Sequence, residues 1–189
     1  MRNAIERTVL VAMLLLALTA SGRAGDTPEP QRRAVNHYIT RPAPEAVLDK
    51  PTMGYADPID PLPPELVAVL VAECEAEGVP LDIALAVMEQ ESGFNPDAVG
   101  PDGHDIGLFQ IRRSNHSWLT EETGADPMTP EGNIVCGVWF LSYLYDYCGE
   151  SWSAALTCWR WGPGHGEASE YASAVLAGSE KWEVKLDGR

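Results

Sequence analysis

Basic side chains are scarce in this 189-residue chain: thirteen Lys and Arg stand against twenty-eight Asp and Glu, a formal net charge of −15 at pH 7. Such a surface repels phosphate backbones and argues against a nucleic-acid partner. It also argues against attachment by charge to anionic lipid or acidic wall polymers, while favouring solubility. Apolar runs of membrane length are missing: Val9 to Ala20, all apolar but for Thr19, has only twelve residues, short of the roughly 20 that a spanning helix needs. Cysteine is sparse, with Cys74, Cys136, Cys148 and Cys158 and no Cys-x-x-Cys pair. That spacing gives little support to a zinc site, and no metal or other cofactor is indicated. Internal repeats and a second domain are absent.

The short apolar run is better read as an export signal. Arg2 and Arg7 precede it, and Gly22 and Ala24 supply small residues before a cut after Ala24, the pattern of a secretory signal peptide over 1–24. An uncleaved anchor is the other reading. No cysteine lies near the cut, which speaks against a lipoprotein. Removing 1–24 leaves ten basic and twenty-seven acidic side chains, a net charge of −17. An exported chain is expected to carry one or two disulfides; buried thiols are the alternative, and spacing alone does not give connectivity. Residues 25–63 hold eight of the fifteen prolines and no apolar run, so they read as a linker.

From Pro64 the pattern becomes helical. Val67, Leu70, Val71 and Cys74 share one face over 65–77, and Gly78 is a stop. A tight turn then leads to a second helix over 81–91, and two short helices so joined are expected to pack antiparallel or steeply crossed. Residues 92–111 are punctuated by Gly, Pro, Asn and Asp, which predicts loop with a small hairpin. Asp126 or Thr129 is placed to cap a helix over 132–147, with Ile134, Val138, Leu141 and Leu144 on its apolar side. Further helices are expected over 152–160 and about 167–178, followed by a frayed tail over 179–189.

Glu91 is the focus of this pattern. At helical spacing it shares a face with Ala84, Val87 and Met88, so a carboxyl sits at the end of an apolar stripe. Partial burial raises a carboxyl pKa, and a carboxyl that keeps its proton near neutral pH suits a general acid. A solvated helix-end glutamate is the plainer reading of this stretch alone. The segment Gly107-Leu-Phe109-Gln110-Ile111 adds a glycine that admits close backbone approach and an amide able to donate and accept toward sugar groups. Asp102 and Asp105 read as turn formers beside Gly103, or as a second carboxylate for hydrolysis if one stands about 6.5–9.5 Å from Glu91.

Four ordered motifs over 64–178 resemble the catalytic domain of the soluble lytic transglycosylases, a lysozyme-like family related to goose-type lysozyme. They are Glu91-Ser92 followed by Gly-Phe-Asn-Pro; Gly107-Leu-Phe-Gln110; Asp126-Pro with Asn133-Ile-x-x-Gly137 and Leu141; and Ser153-Ala-Ala-Leu with Gly162-Pro-Gly164 and Tyr171-x-x-x-Val175. The resemblance implies a mainly α, lysozyme-like α+β fold: a compact helical domain with a small loop or hairpin region forming a groove for peptidoglycan glycan strands. It implies that Glu91 is the sole catalytic carboxyl, first as acid and then as base on the muramic acid 6-hydroxyl, giving a 1,6-anhydro product. It places Ser92, Gly107, Phe109 and Gln110 around the reacting sugar and Tyr171 beside Glu91.

One departure stands out: the family's Ala-Tyr-Asn is Cys158-Trp159-Arg160 here. Trp159 keeps an apolar wall or stacking face and loses the hydroxyl. Arg160 is a pure donor and cannot mimic Asn; it lowers the acid's pKa, binds a lactyl or peptide carboxylate, or points into solvent. Two rivals remain at this stage: a muramidase on the same fold, and a non-catalytic peptidoglycan-binding or assembly protein. Envelope partners are not readable from the sequence.

Overall fold

A computed structural model describes Ile59, residues 62–166 and residues 168–187. The signal-peptide reading of 1–24 and most of the linker lie outside the described residues.

Among them the chain forms six helices and a minimal sheet: α1 (Pro64–Glu77), α2 (Leu81–Ser92), β1 (Asp105–Ile106), β2 (Ile111–Arg112), a 3-10 turn (Arg113–Asn115), α3 (His116–Thr123), α4 (Pro130–Tyr147), α5 (Trp152–Trp161) and α6 (Glu170–Asp187). Helix ends follow local chemistry. Pro64 and Pro130 occupy first-turn positions, where a missing N–H costs nothing. Thr129 Oγ1 accepts from Gly132 N (3.0 Å) and Ser151 Oγ from Ala154 N (3.3 Å), capping α4 and α5. α2 stops at Gly93, whose φ of 58° lets its N–H bond back to Glu89 O at 3.1 Å.

α4 is the central helix, buried along most of its length from Gly132 to Leu144. α1, α3 and α5 pack against it, while α2 packs chiefly on α6. Ala84, Val87 and Met88 are fully buried, as the stripe ending at Glu91 requires. Leu70, Phe109, Ile134, Leu141 and Leu156 fill the same core. Gly137 is needed inside α4, since a Cβ there would lie 2.3 Å from Phe109 Cγ. β1 and β2 pair antiparallel, with Ile106 opposite Ile111 and an extra bridge to Val99, so the small hairpin is present.

α1 and α2, joined by a tight turn, touch each other less than each touches a distant helix, α4 and α6 respectively. Three expectations are corrected. Residues 116–123, read without a helix, form α3; only Leu119 of its residues is fully buried, which leaves no apolar period to detect. The frayed tail is helical through Asp187, with Ser179 and Trp182 buried. The domain also starts before Pro64, since Ile59 and Leu62 are 0% and 3% exposed within the core. Among the described residues no helix is long and apolar enough to cross a membrane. All four cysteines are thiols, with Cys74, Cys136 and Cys158 buried.

Candidate active site

The last turn of α2 delivers Glu91 to a place where α5 and α6 meet it. Tyr171 of α6 donates its O–H to Glu91 Oε1 at 2.5 Å, and Trp159 of α5 donates its indole N–H to the same oxygen at 3.1 Å. The indole therefore supplies a donor, and the loss expected from replacing a tyrosine is made good through nitrogen. Both donors converge on one carboxyl oxygen, which leaves Oε2 to carry the proton.

Burial is the largest influence on Glu91 and raises its pKa above the ordinary carboxylate value. The hydrogen bonds from Tyr171 and Trp159 and the charge of Arg160 pull it down, and Asp105 pushes it up; the net direction is upward. Burial and the Glu91 carboxylate together push the Tyr171 hydroxyl well above the usual phenol range, so it is a donor at any physiological pH. Arg160 is exposed, with its guanidinium over the Trp161 ring at 5.4 Å. It neither points fully away nor pairs with Glu91: it acts on the acid through its field.

The loop opposite is held from below. Asn133, 1% exposed on α4, accepts from Phe109 N (2.9 Å) and donates to Ile106 O (3.0 Å) and Pro127 O (2.9 Å). Gly107 sits at φ 75°, and a Cβ there would lie 2.6 Å from Asn133 Nδ2, so a side chain at 107 would displace this clamp. Ser92 Oγ lies 2.8 Å from Leu108 O and 3.1 Å from Met88 O; it ties the end of α2 to the loop and does not touch Glu91. Gln110, at φ 46°, donates through Nε2 to Ala98 O (3.1 Å) and Gly107 O (2.9 Å). Its N–H groups are thus spent on the loop, and its oxygen is what it can offer a ligand.

Phe109 does not reach the groove surface. It is fully buried and meets Trp159 edge-on at 6.1 Å, so it supports the wall from beneath. Asp102 and Asp105 share Arg112, at 3.1 and 3.2 Å. Asp102 also accepts from His104 N at 3.0 Å, as the turn reading expects. These contacts hold its carboxyl below the usual range. A separate depression of about 290 Å³ at the α1–α2 turn, lined by Val71, Cys74 and Val79 among others, includes none of the Glu91 group.

Asn133 and Trp182 were not assigned roles from the sequence. Asn133 was legible as a polar residue inside the apolar face of a helix. Trp182 had no signal in a segment read as tail, yet it donates to Glu89 Oε2 at 2.8 Å and packs edge-on against Phe94 at 5.6 Å. It thereby anchors the turn of α2 that carries Glu91.

Residues 69–176 match the family model described as the transglycosylase SLT domain. Among solved structures the fold is similar to the lytic transglycosylase Slt of Pseudomonas aeruginosa, with a TM-score of 0.57 at 21% identity over 64% of this chain and 24% of that one. It is also similar to the 70-kDa soluble lytic transglycosylase of Escherichia coli, with a TM-score of 0.55 at 22% identity over 62% of this chain and 24% of that one. This chain therefore spans about a quarter of the length of those enzymes.

Proposed function

Since this chain belongs to the transglycosylase SLT domain family, we propose that it is an exported lytic transglycosylase that cleaves the β-1,4 bond between N-acetylmuramic acid and N-acetylglucosamine in peptidoglycan. The observation that carries the reading is the state of Glu91: a half-buried carboxyl, its pKa raised by desolvation, with both protein donors on Oε1. That arrangement suits an acid that gives its proton from Oε2 to the leaving glycosidic oxygen as the bond to the anomeric carbon breaks. Tyr171 and Trp159 then stabilise the carboxylate that has formed. The same carboxylate takes the proton of the muramic acid 6-hydroxyl while its oxygen bonds to the anomeric carbon. No water is consumed, and a 1,6-anhydro end results.

The neighbours fit supporting roles. The oxygen of Gln110 would accept from a substrate N–H or hydroxyl, and Trp159 would offer its ring to a sugar face. Arg160, exposed beside the acid, would engage the lactyl or stem-peptide carboxylate. Residues 1–24 serve as the export signal and the proline-rich stretch after them as a spacer. A muramidase is the second reading, favoured by one observation: Asp105 lies within the electrostatic reach of Glu91 and would activate water if freed from Arg112.

The test is digestion of purified peptidoglycan by the chain and by Glu91→Gln, with mass analysis of the soluble fragments. Anhydro ends, one water lighter than reducing ends, are expected from the parent chain. The variant is expected to lose at least about 10²-fold in rate, the usual scale of a general acid's contribution. Reducing ends would replace the transglycosylase with a muramidase. Strand binding without fragments from either protein would leave only a binding role.

A further inference from the structure

The turn between α4 and α5 does more than connect two helices. Gly149 and Glu150 both take left-handed φ values, 74° and 60°, and fold α5 back along the end of α4. Cys148 closes α4 and Cys158 lies near the end of α5, ten residues on. Their sulfurs lie 2.8 Å apart, the Cys148 thiol donating to Cys158. That is well inside the ordinary contact of two non-bonded sulfurs, and about 0.8 Å more would bring them to the 2.05 Å of a covalent pair. Cys158 forms a small apolar cluster with Leu144 and Ala155, and Cys148 packs against it. The remaining cysteines are placed differently: Cys136 lies against Thr123 Oγ1 (3.3 Å) and the Ala125 carbonyl (3.8 Å), and Cys74 is buried on α1.

We propose that Cys148 and Cys158 are a modification site, a dithiol that closes to an intramolecular disulfide clipping α5 to the end of α4, while Cys74 and Cys136 stay as thiols. The oxidant is a disulfide, either a small one such as oxidised glutathione or a protein one. Cys148 is the half-exposed partner and Cys158 is 9% exposed, so the oxidant meets Cys148 first. The Cys148 sulfur, losing its proton, displaces one thiolate from the oxidant and forms a mixed disulfide. The Cys158 sulfur, losing its proton, then attacks the Cys148 sulfur and expels the second thiolate. The pair gives up two electrons and two protons, and the oxidant becomes two thiols.

Burial and the neighbouring sulfur push the Cys148 thiol up to about 12. The bond would fix the segment from which the next residue, Trp159, reaches Glu91. The proposal rests on the export reading only for a standing oxidant in the cell.

The test supplies the oxidant itself. The purified chain is held with oxidised glutathione, denatured without reductant, alkylated with N-ethylmaleimide and weighed. Two added alkyl groups are expected of the four possible. Cleavage after Glu150 should leave the peptides on its two sides joined until reduction, with Cys136 alkylated. Reduction should also lower the melting temperature by roughly 5–10 °C in the parent chain and leave a Cys148→Ser/Cys158→Ser double variant unshifted. Four alkyl groups, a persistent glutathione adduct on Cys148, or a bond to Cys136 or Cys74 would overturn the proposal. A pair found reduced in cells but closed by glutathione supports the pairing and counts against the export reading.

Discussion

Glu91 is subject to opposing influences that can be separated by substitution. Desolvation raises its pKa, while Tyr171, Trp159 and Arg160 lower it in that order. In the proposed role of general acid it works while protonated, so the rate is expected to fall as pH rises through its folded pKa. Removing a group that favours the carboxylate moves that descending limb upward. Tyr171→Phe is expected to shift the limb to higher pH and to cut the plateau rate about 10- to 100-fold, because the carboxylate formed in the reaction loses a donor. Arg160→Asn is expected to shift the limb in the same direction by less, and to weaken cleavage of strands bearing stem-peptide carboxylates more than of strands without them. A pH profile of kcat/KM for each variant checks both. The glutamate itself was legible in the sequence from the stripe Ala84, Val87, Met88. Of its two donors, which arrive from helices 68 and 80 residues away, Tyr171 was placed beside it by the family resemblance alone, and the hydrogen bond from Trp159 was not legible.

Among the elements, α6 carries more than expected. Its first turn supplies Tyr171, and four residues past the expected end Trp182 packs on Phe94 and Glu89. Lys185 lies over the indole face at 4.1 Å, a cation–π contact that also covers it. Trp182→Ala removes a side chain only 3% exposed, and a loss of roughly 3–5 kcal/mol is expected in thermal or denaturant unfolding. Trp182→Phe should recover most of that stability but not the bond to Glu89. The tail reading failed because Ser179 and Trp182 are separated by polar residues and present too few apolar positions to define a period. Tertiary contact with α2 makes them core. α3 was missed for the same reason, with Leu119 alone buried.

For the whole molecule, the boundary between spacer and domain falls earlier than composition indicates. Ile59 and Leu62 lie among prolines and an aspartate yet are buried. A chain begun at residue 63 is therefore expected to be less stable than one begun at residue 58, by roughly 3–5 kcal/mol, the scale of burying two large aliphatic side chains. Comparison of the two unfolding midpoints measures it. The acidic surface has a different consequence: under the proposed function, affinity for peptidoglycan is expected to come from hydrogen bonds, aromatic faces and the local cation Arg160, since the net charge opposes an acidic polymer.

The sequence by itself determined the helices whose apolar period is complete, α1, α2, α4 and α5, together with the start of α1 at Pro64, its stop at Gly78 and the Thr129 cap of α4. It also determined the position of Glu91 and the motif order that marks the family. These are local properties, set by residues within one or two turns of each other. Only the tertiary structure decided which helices pair, because α1 and α2 present stripes that fit several partners and each chose a distant one. It decided that Trp159 gives Glu91 a hydrogen bond as well as a wall, that Phe109 lies under the groove, and that Asn133 clamps the loop. It also set the 2.8 Å between Cys148 and Cys158, which spacing alone left open. Each of these depends on where side chains from separate helices meet, and that is fixed by close packing of the core.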